Sequence, residues 1–156
     1  VPTLPAAGDG VPAPLAAGQS PGETARAMDS GERGERAPHY YFDVTGHSAE
    51  ELRALLARAA AIHAAAPPGQ RSALDIVLVL HGPDVEYFAT RNAGRYGDIV
   101  ARAGALDAAG VLDFKMCAVA AERRGITAGD IPPFIEMVPW ANGEIERLEQ
   151  AGYVRL

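Results

Sequence analysis

Leu74-Asp75-Ile76-Val77-Leu78-Val79-Leu80 is the stretch that decides the fold. Apolar side chains fall on both faces of any strand drawn through it. A half-exposed strand alternates apolar with polar, whereas a run apolar on both faces belongs in the buried middle of a parallel sheet. His81-Gly82-Pro83-Asp84 follows at once and ends the run with turn-forming residues. A parallel sheet needs crossover helices, so the flanking sequence should alternate strand and helix.

It does. Upstream, Tyr40-Tyr41-Phe42-Asp43-Val44 reads as a short strand stopped by Thr45-Gly46. Ser48-Ala49-Glu50-Glu51 is a capping box, and Leu52, Leu55, Leu56, Ala59 and Ile62 continue it at helical spacing. Pro67-Pro68-Gly69 stops that helix. Downstream, a short piece at Val85–Phe88 precedes an amphipathic helix from about Tyr96 to Ala109, closed by Gly110. A strand through Gly110–Met116 leads into a helix from Ala118 to Gly125, and Thr127–Asp130 suggests a further turn. Phe134–Val138 is a fourth strand ending at Pro139-Trp140. Asn142 is positioned to cap a last helix through Ile145 and Leu148, and Tyr153–Leu156 forms a fifth strand. The alternation βαβαβαβαβ predicts a mostly parallel five-stranded sheet in a three-layer α/β sandwich.

Residues 1–38 differ in kind. Pro2, Pro5, Pro12, Pro14 and Pro21 recur among Gly and Ala without helical or strand period. Such a segment buries too little apolar surface to offset its ordering entropy. The sequence therefore predicts a flexible tail over 1–38, with a helical turn near Glu23–Met28, and one domain over 39–156.

The chain has 156 residues, 14 Lys and Arg against 20 Asp and Glu, and a net charge of -6. That balance excludes a basic nucleic-acid groove and disfavours an anionic membrane surface. No apolar run approaches a membrane span. The first residues lack the basic and apolar regions of a signal peptide. A single cysteine forms no internal disulfide, and a free thiol fits a reducing cytoplasm; a periplasmic protein already freed of its signal peptide is the alternative.

That cysteine, Cys117, sits where strand gives way to helix. Backbone N–H groups and the positive end of a helix dipole favour a thiolate there. In open parallel sheets ligands gather beyond the carboxyl ends of the strands. Those ends carry Asp43, Thr45 and Gly46, then His81, Gly82 and Asp84, then Cys117, then Pro139 and Trp140. His81 is a candidate base or hydrogen-bond donor to sulfur. Its alternative is a structural corner histidine. Asp84 reads more readily as a cap than as a catalytic acid, and Trp140 as a pocket wall or an oligomer contact. Arg123 and Arg124 are candidates to add positive potential near the sulfur, but they lie nearly two turns along the helix and read more readily as neutralising its C-terminus. A metal site joining Cys117 and His81 to His39 or His47 lacks ligand-motif spacing, and His63 belongs to a helix, so no metal is expected. There is no glycine-rich phosphate loop and no serine nucleophile elbow, and no cofactor is expected.

Phe114-Lys115-Met116-Cys117-Ala118-Val119-Ala120-Ala121-Glu122-Arg123-Arg124-Gly125-Ile126 resembles the cysteine motif of the DsrE/DsrF/TusD-like sulfur-relay family. Val79-Leu80-His81-Gly82-Pro83 resembles its second-strand corner. Val138-Pro139 with Ala141-Asn142-Gly143-Glu144 resembles its fourth-strand exit, and Glu149-Gln150-Ala151-Gly152-Tyr153 its C-terminal ending. The resemblance runs from Tyr40 to Leu156. Trp140 departs from it, standing where many relatives carry a small residue, as does the N-terminal segment. It implies a flavodoxin-like fold, a homo-oligomer of three or six subunits, and Cys117 as carrier of a persulfide passed between donor and acceptor proteins. Whether the protein is an enzyme, a sulfurtransferase, stays open. A non-catalytic oligomeric α/β module with a packed Cys117 is the alternative.

Overall fold

The computed structural model describes residues 38–156. The expected tail, except for Pro38, and its turn at Glu23–Met28 lie outside the described residues. From Pro38 onward, five strands form one sheet: β1 (His39–Val44), β2 (Asp75–Leu80), β3 (Asp113–Cys117), β4 (Ile135–Val138) and β5 (Val154–Arg155). Every pairing is parallel and the order is β4-β3-β2-β1-β5. The helices are α1 (Ala49–Ala65), α2 (Pro68–Arg71), α3 (Ala93–Ala108), α4 (Ala118–Arg123) and α5 (Ala141–Gln150). Short 3-10 segments occupy Gly82–Phe88, Thr90–Asn92 and Ala128–Asp130. This is a flavodoxin-like α/β sandwich.

β2 is the central strand, and Ile76 through Leu80 are all buried. The apolar run is thus explained by its place: it has a neighbour on each edge and cover on both faces. Its lateral partners in register, Phe42 on β1 and Phe114 on β3, share one face with Leu78. α1 lies on that face, where Arg58 stacks over Phe42. α3 packs against α1, and Phe114 contacts Phe88 and Phe134 there. α5 packs on β1 and β2 from the opposite face, where the Tyr41 hydroxyl donates to Glu149. Because side chains alternate along a strand, Tyr41, Asp43, Val77, Val79, Lys115 and Cys117 all belong to the α5 face.

The capping box forms as expected: Glu51 N donates to Ser48 Oγ at 3.1 Å and Ser48 N to Glu51 Oε1 at 2.8 Å. Three local expectations need amendment. Pro67-Pro68-Gly69 ends α1, but Pro68 also opens α2, since proline suits a first helical position. α3 begins at Ala93 and kinks at Tyr96, the residue where the apolar period starts. α5 begins at Ala141 with Trp140 at the N-cap, so Asn142 sits in the first turn and does not cap.

Candidate functional site

Three chain corners meet at the carboxyl end of the sheet on the α5 face. The first is built by β2. His81 extends the β1–β2 ladder one step, its N–H donating to Val44 O at 3.0 Å. It lies two residues beyond Val79 on an extended backbone, and so shares that strand's α5 face. Gly82 then turns the chain with φ +64, and a Cβ there would meet Thr45 Oγ1 at 2.2 Å. Both the positive φ and the close approach require glycine.

The second corner is Cys117, which ends β3 and is the N-cap residue of α4. Its side chain makes no capping hydrogen bond. It is 4 % exposed. The third corner is Trp140 at the start of α5, brought to Cys117 because Cys117 pairs with Val138 in the β3–β4 register.

Together these corners enclose a cavity of about 320 Å³. Cys117, His81 and Gly82 line it, as do Arg123 and Arg124 from α4. Trp140 and Asn142 complete the wall from α5. Trp140 is 55 % exposed and Val119, also on the wall, 37 %, which gives the mouth an apolar rim.

Asp43 lies behind the histidine rather than in this cavity. Its Oδ1 is hydrogen-bonded to His81 Nε2, and its Oδ2 pairs with Arg155 Nη2 at 3.2 Å. With Nε2 donating to the carboxylate, Nδ1 is the ring nitrogen left to accept a proton. Asp43 instead lines a neighbouring cavity with His47, Glu51 and Arg58.

Asp84 stands apart from the cavity as well. It is 1 % exposed, the one buried charged residue of the described core. Gly46 N donates to its Oδ1 at 2.7 Å, His47 N to Oδ2 at 3.0 Å, and His47 Nδ1 lies 3.2 Å from Oδ2. Asp84 therefore ties the loop after β1 to the segment after β2; it lies inside the 3-10 segment Gly82–Phe88 and does not cap it, which corrects its reading as a cap.

Of the predicted rim, the fold brings Cys117, His81, Gly82 and Trp140 to one cavity, sets Asp43 one hydrogen bond away, and places Asp84 beneath the loop. Asn142 was not expected there, and the two arginines, read chiefly as neutralising the helix C-terminus, also reach the wall. The signal was the brevity of α4. Six residues at 1.5 Å each span about 9 Å, within reach of a long side chain. Arg155 left no local signal, since only the β1–β5 pairing brings it to Asp43. Among the described residues, no three His, Cys, Asp or Glu side chains cluster to hold a metal. No described helix is long and apolar enough to cross a membrane.

The parallel five-stranded sheet flanked by helices, with Cys117 and His81 lining one cavity at its carboxyl end, places the chain among flavodoxin-like α/β proteins. Within it the chain belongs to the DsrE/DsrF-like family, whose model matches residues 39–155. Among solved structures it is similar to a protein of unknown function, MTH1491 from Methanobacterium thermoautotrophicum, with TM-score 0.63 and 16% identity. That likeness covers 76% of this chain and 99% of the other and speaks to the fold. No curated protein matches the chain. Membership of the family is consistent with a role in sulfur relay.

Proposed function

We propose that the protein is a persulfide carrier, a sulfurtransferase whose single cysteine takes sulfur from a donor and hands it to an acceptor. The observation that carries this reading is the meeting of Cys117, His81 and two arginines around one cavity at the carboxyl edge of the sheet. In the first step the Cys117 thiolate attacks the outer sulfur of a donor persulfide. The new S–S bond forms on Cys117 as the donor's own S–S bond breaks, and the electron pair leaves on the donor's inner sulfur as a thiolate. No net oxidation occurs, and no second cysteine is required of this chain. An acceptor thiolate then repeats the attack on the outer sulfur of Cys117–S–SH. His81, held through Nε2 by Asp43, takes the thiol proton at Nδ1 and returns it to the departing thiolate.

The test is intact mass after incubation with a persulfide donor. The expected result is a gain of one sulfur atom that is abolished in Cys117→Ser and removed by an acceptor thiol. No gain with protein or small-molecule donors would refute the relay. The 4 % exposure of Cys117 favours a second reading, a packed cysteine in a non-catalytic oligomeric module. Under that reading the native thiol resists alkylation and reacts normally only once denatured.

We also propose a homo-oligomer of three or six subunits with donor and acceptor proteins as partners. The exposed Trp140 and Val119 beside the cavity support a partner surface there.

A further inference from the structure

The chain carries 20 acidic residues and a net charge of -6, yet among the described residues no carboxylate lines the Cys117 cavity. Its charged wall is two arginines. They are not equivalent. Arg124 Nη1 pairs with Glu86 Oε2 at 3.6 Å, a carboxylate already engaged by Arg91 at 2.9 Å. Arg123 has no ion-pair partner among the described residues. In a protein this acidic, a cationic side chain left unneutralised beside a thiol invites an anion. The planar guanidinium fork matches a carboxylate in two parallel hydrogen bonds.

Size narrows the choice. About 320 Å³ is at the small end of ligand pockets, the scale of a short peptide-like molecule. Cys117 is only 4 % exposed yet lines the cavity, so a small molecule seated there lies against it. Asn142 adds an amide able to bind a second polar group, and the apolar rim of Val119 and Trp140 suits an aliphatic chain.

We propose that this cavity binds a carboxylate-bearing, low-molecular-weight thiol or persulfide, with Arg123 holding the carboxylate while its sulfur meets Cys117. The proposal rests on the relay reading and names the chemical class of one of its sulfur carriers. The transfer is the exchange already described: the small molecule's outer sulfur passes to Cys117 and its inner sulfur leaves as a thiolate.

The experiment separates charge from relay. Cys117 in the full chain is alkylated with iodoacetate and with iodoacetamide, which share one reactive group and differ in charge. The expected iodoacetate-to-iodoacetamide rate ratio is several-fold above that of the urea-denatured chain. It falls towards the denatured value in high salt and in Arg123→Gln, and Arg123→Lys restores part of it. S-methylglutathione, which has the carboxylates but no sulfur to transfer, slows iodoacetamide, and its diethyl ester does not. A ratio at or below the denatured value, unmoved by Arg123→Gln and with no protection by S-methylglutathione, overturns the proposal. Glutathione persulfide tests the relay itself. If it adds no sulfur while the charge preference and protection persist, the relay fails and the carboxylate site stands.

Discussion

Asp43 and His81 are hydrogen-bonded side chain to side chain across the β1–β2 ladder, at the point where both strands leave the sheet. The carboxylate also pairs with Arg155 on β5, so Asp43 links residues from three strand ends. A histidine held from behind has one tautomer and one orientation to offer.

The consequence is testable in sulfur uptake. Replacing His81 by Gln should slow transfer to Cys117 by about 100-fold, the scale of a lost general base. Asp43→Asn should slow it by about tenfold and alter the pH profile, because the amide no longer dictates which nitrogen carries the proton. Arg155→Gln should give a smaller effect in the same direction. Single-turnover kinetics across pH check all three, and a pH profile unchanged in Asp43→Asn would reduce the pair to scaffolding.

Gly82→Ala should destabilise the protein by about 1–2 kcal/mol, the cost of a side chain in left-handed backbone. The clash with Thr45 Oγ1 adds to this. Thermal or urea unfolding measures the loss. In Gly82→Ala combined with Thr45→Ala the clash is gone and the backbone cost remains, so only part of the stability should return.

Asp84→Ala should cost about 3 kcal/mol, because Gly46 and His47 lose the carboxylate their N–H groups now share. Hydrogen exchange should quicken first at those two amides. Unchanged protection there would contradict the role assigned to Asp84.

The opposite end of the sheet carries a pH dependence. Burial, then the hydrogen bond and charge of Asp75, push the Asp113 carboxyl up to about 6. Asp75 is itself engaged by the Tyr153 hydroxyl, and Lys115 opposes the shift. A carboxyl raised in the folded state favours folding while it is protonated. Its contribution is complete below the unfolded value of 3.8 and is lost as pH rises through about 6. Although the carboxyl is partly desolvated, much of the residue stays in contact with water, so solvent screening reduces the effect to about 1 kcal/mol. Asp113→Asn keeps a donor for Asp75 without the charge. Its stability relative to the parent should therefore rise between pH 4.5 and pH 7.5 in urea melts.

Trp140→Ala should shift sedimentation towards the monomer while leaving the protomer's far-UV circular dichroism unchanged. A protein that sediments only as a monomer at micromolar concentration would remove the oligomer proposal.

The fold was legible because its strongest signals are local. The buried run of β2, the Ser48–Glu51 box and the proline stop each act within a few residues. The element ends drifted where two signals overlapped, as at Pro68, which both stops α1 and starts α2. A topological rule groups the candidate residues: strand ends share an edge, so Cys117, His81 and Trp140 fall together from strand order alone. What escaped were relations that no window of sequence contains. Asp43 meets His81 and not the cavity because of register, Arg155 arrives through the last strand, and Arg123 and Arg124 reach the cavity wall because α4 is short.

α5 packs on β1 and β2, and its N-terminal end supplies Trp140 and Asn142 to the cavity wall. Proteins breathe in cooperative pieces, each with its own opening free energy. Detachment of this ten-residue piece should open the cavity wall beside Cys117 while the β1–β2–β3 heart stays intact. The rate at which a bulky reagent finds Cys117 thus measures the undocking of a single helix, and substitutions that loosen α5, such as Leu148→Ala, should accelerate labelling well before they melt the domain.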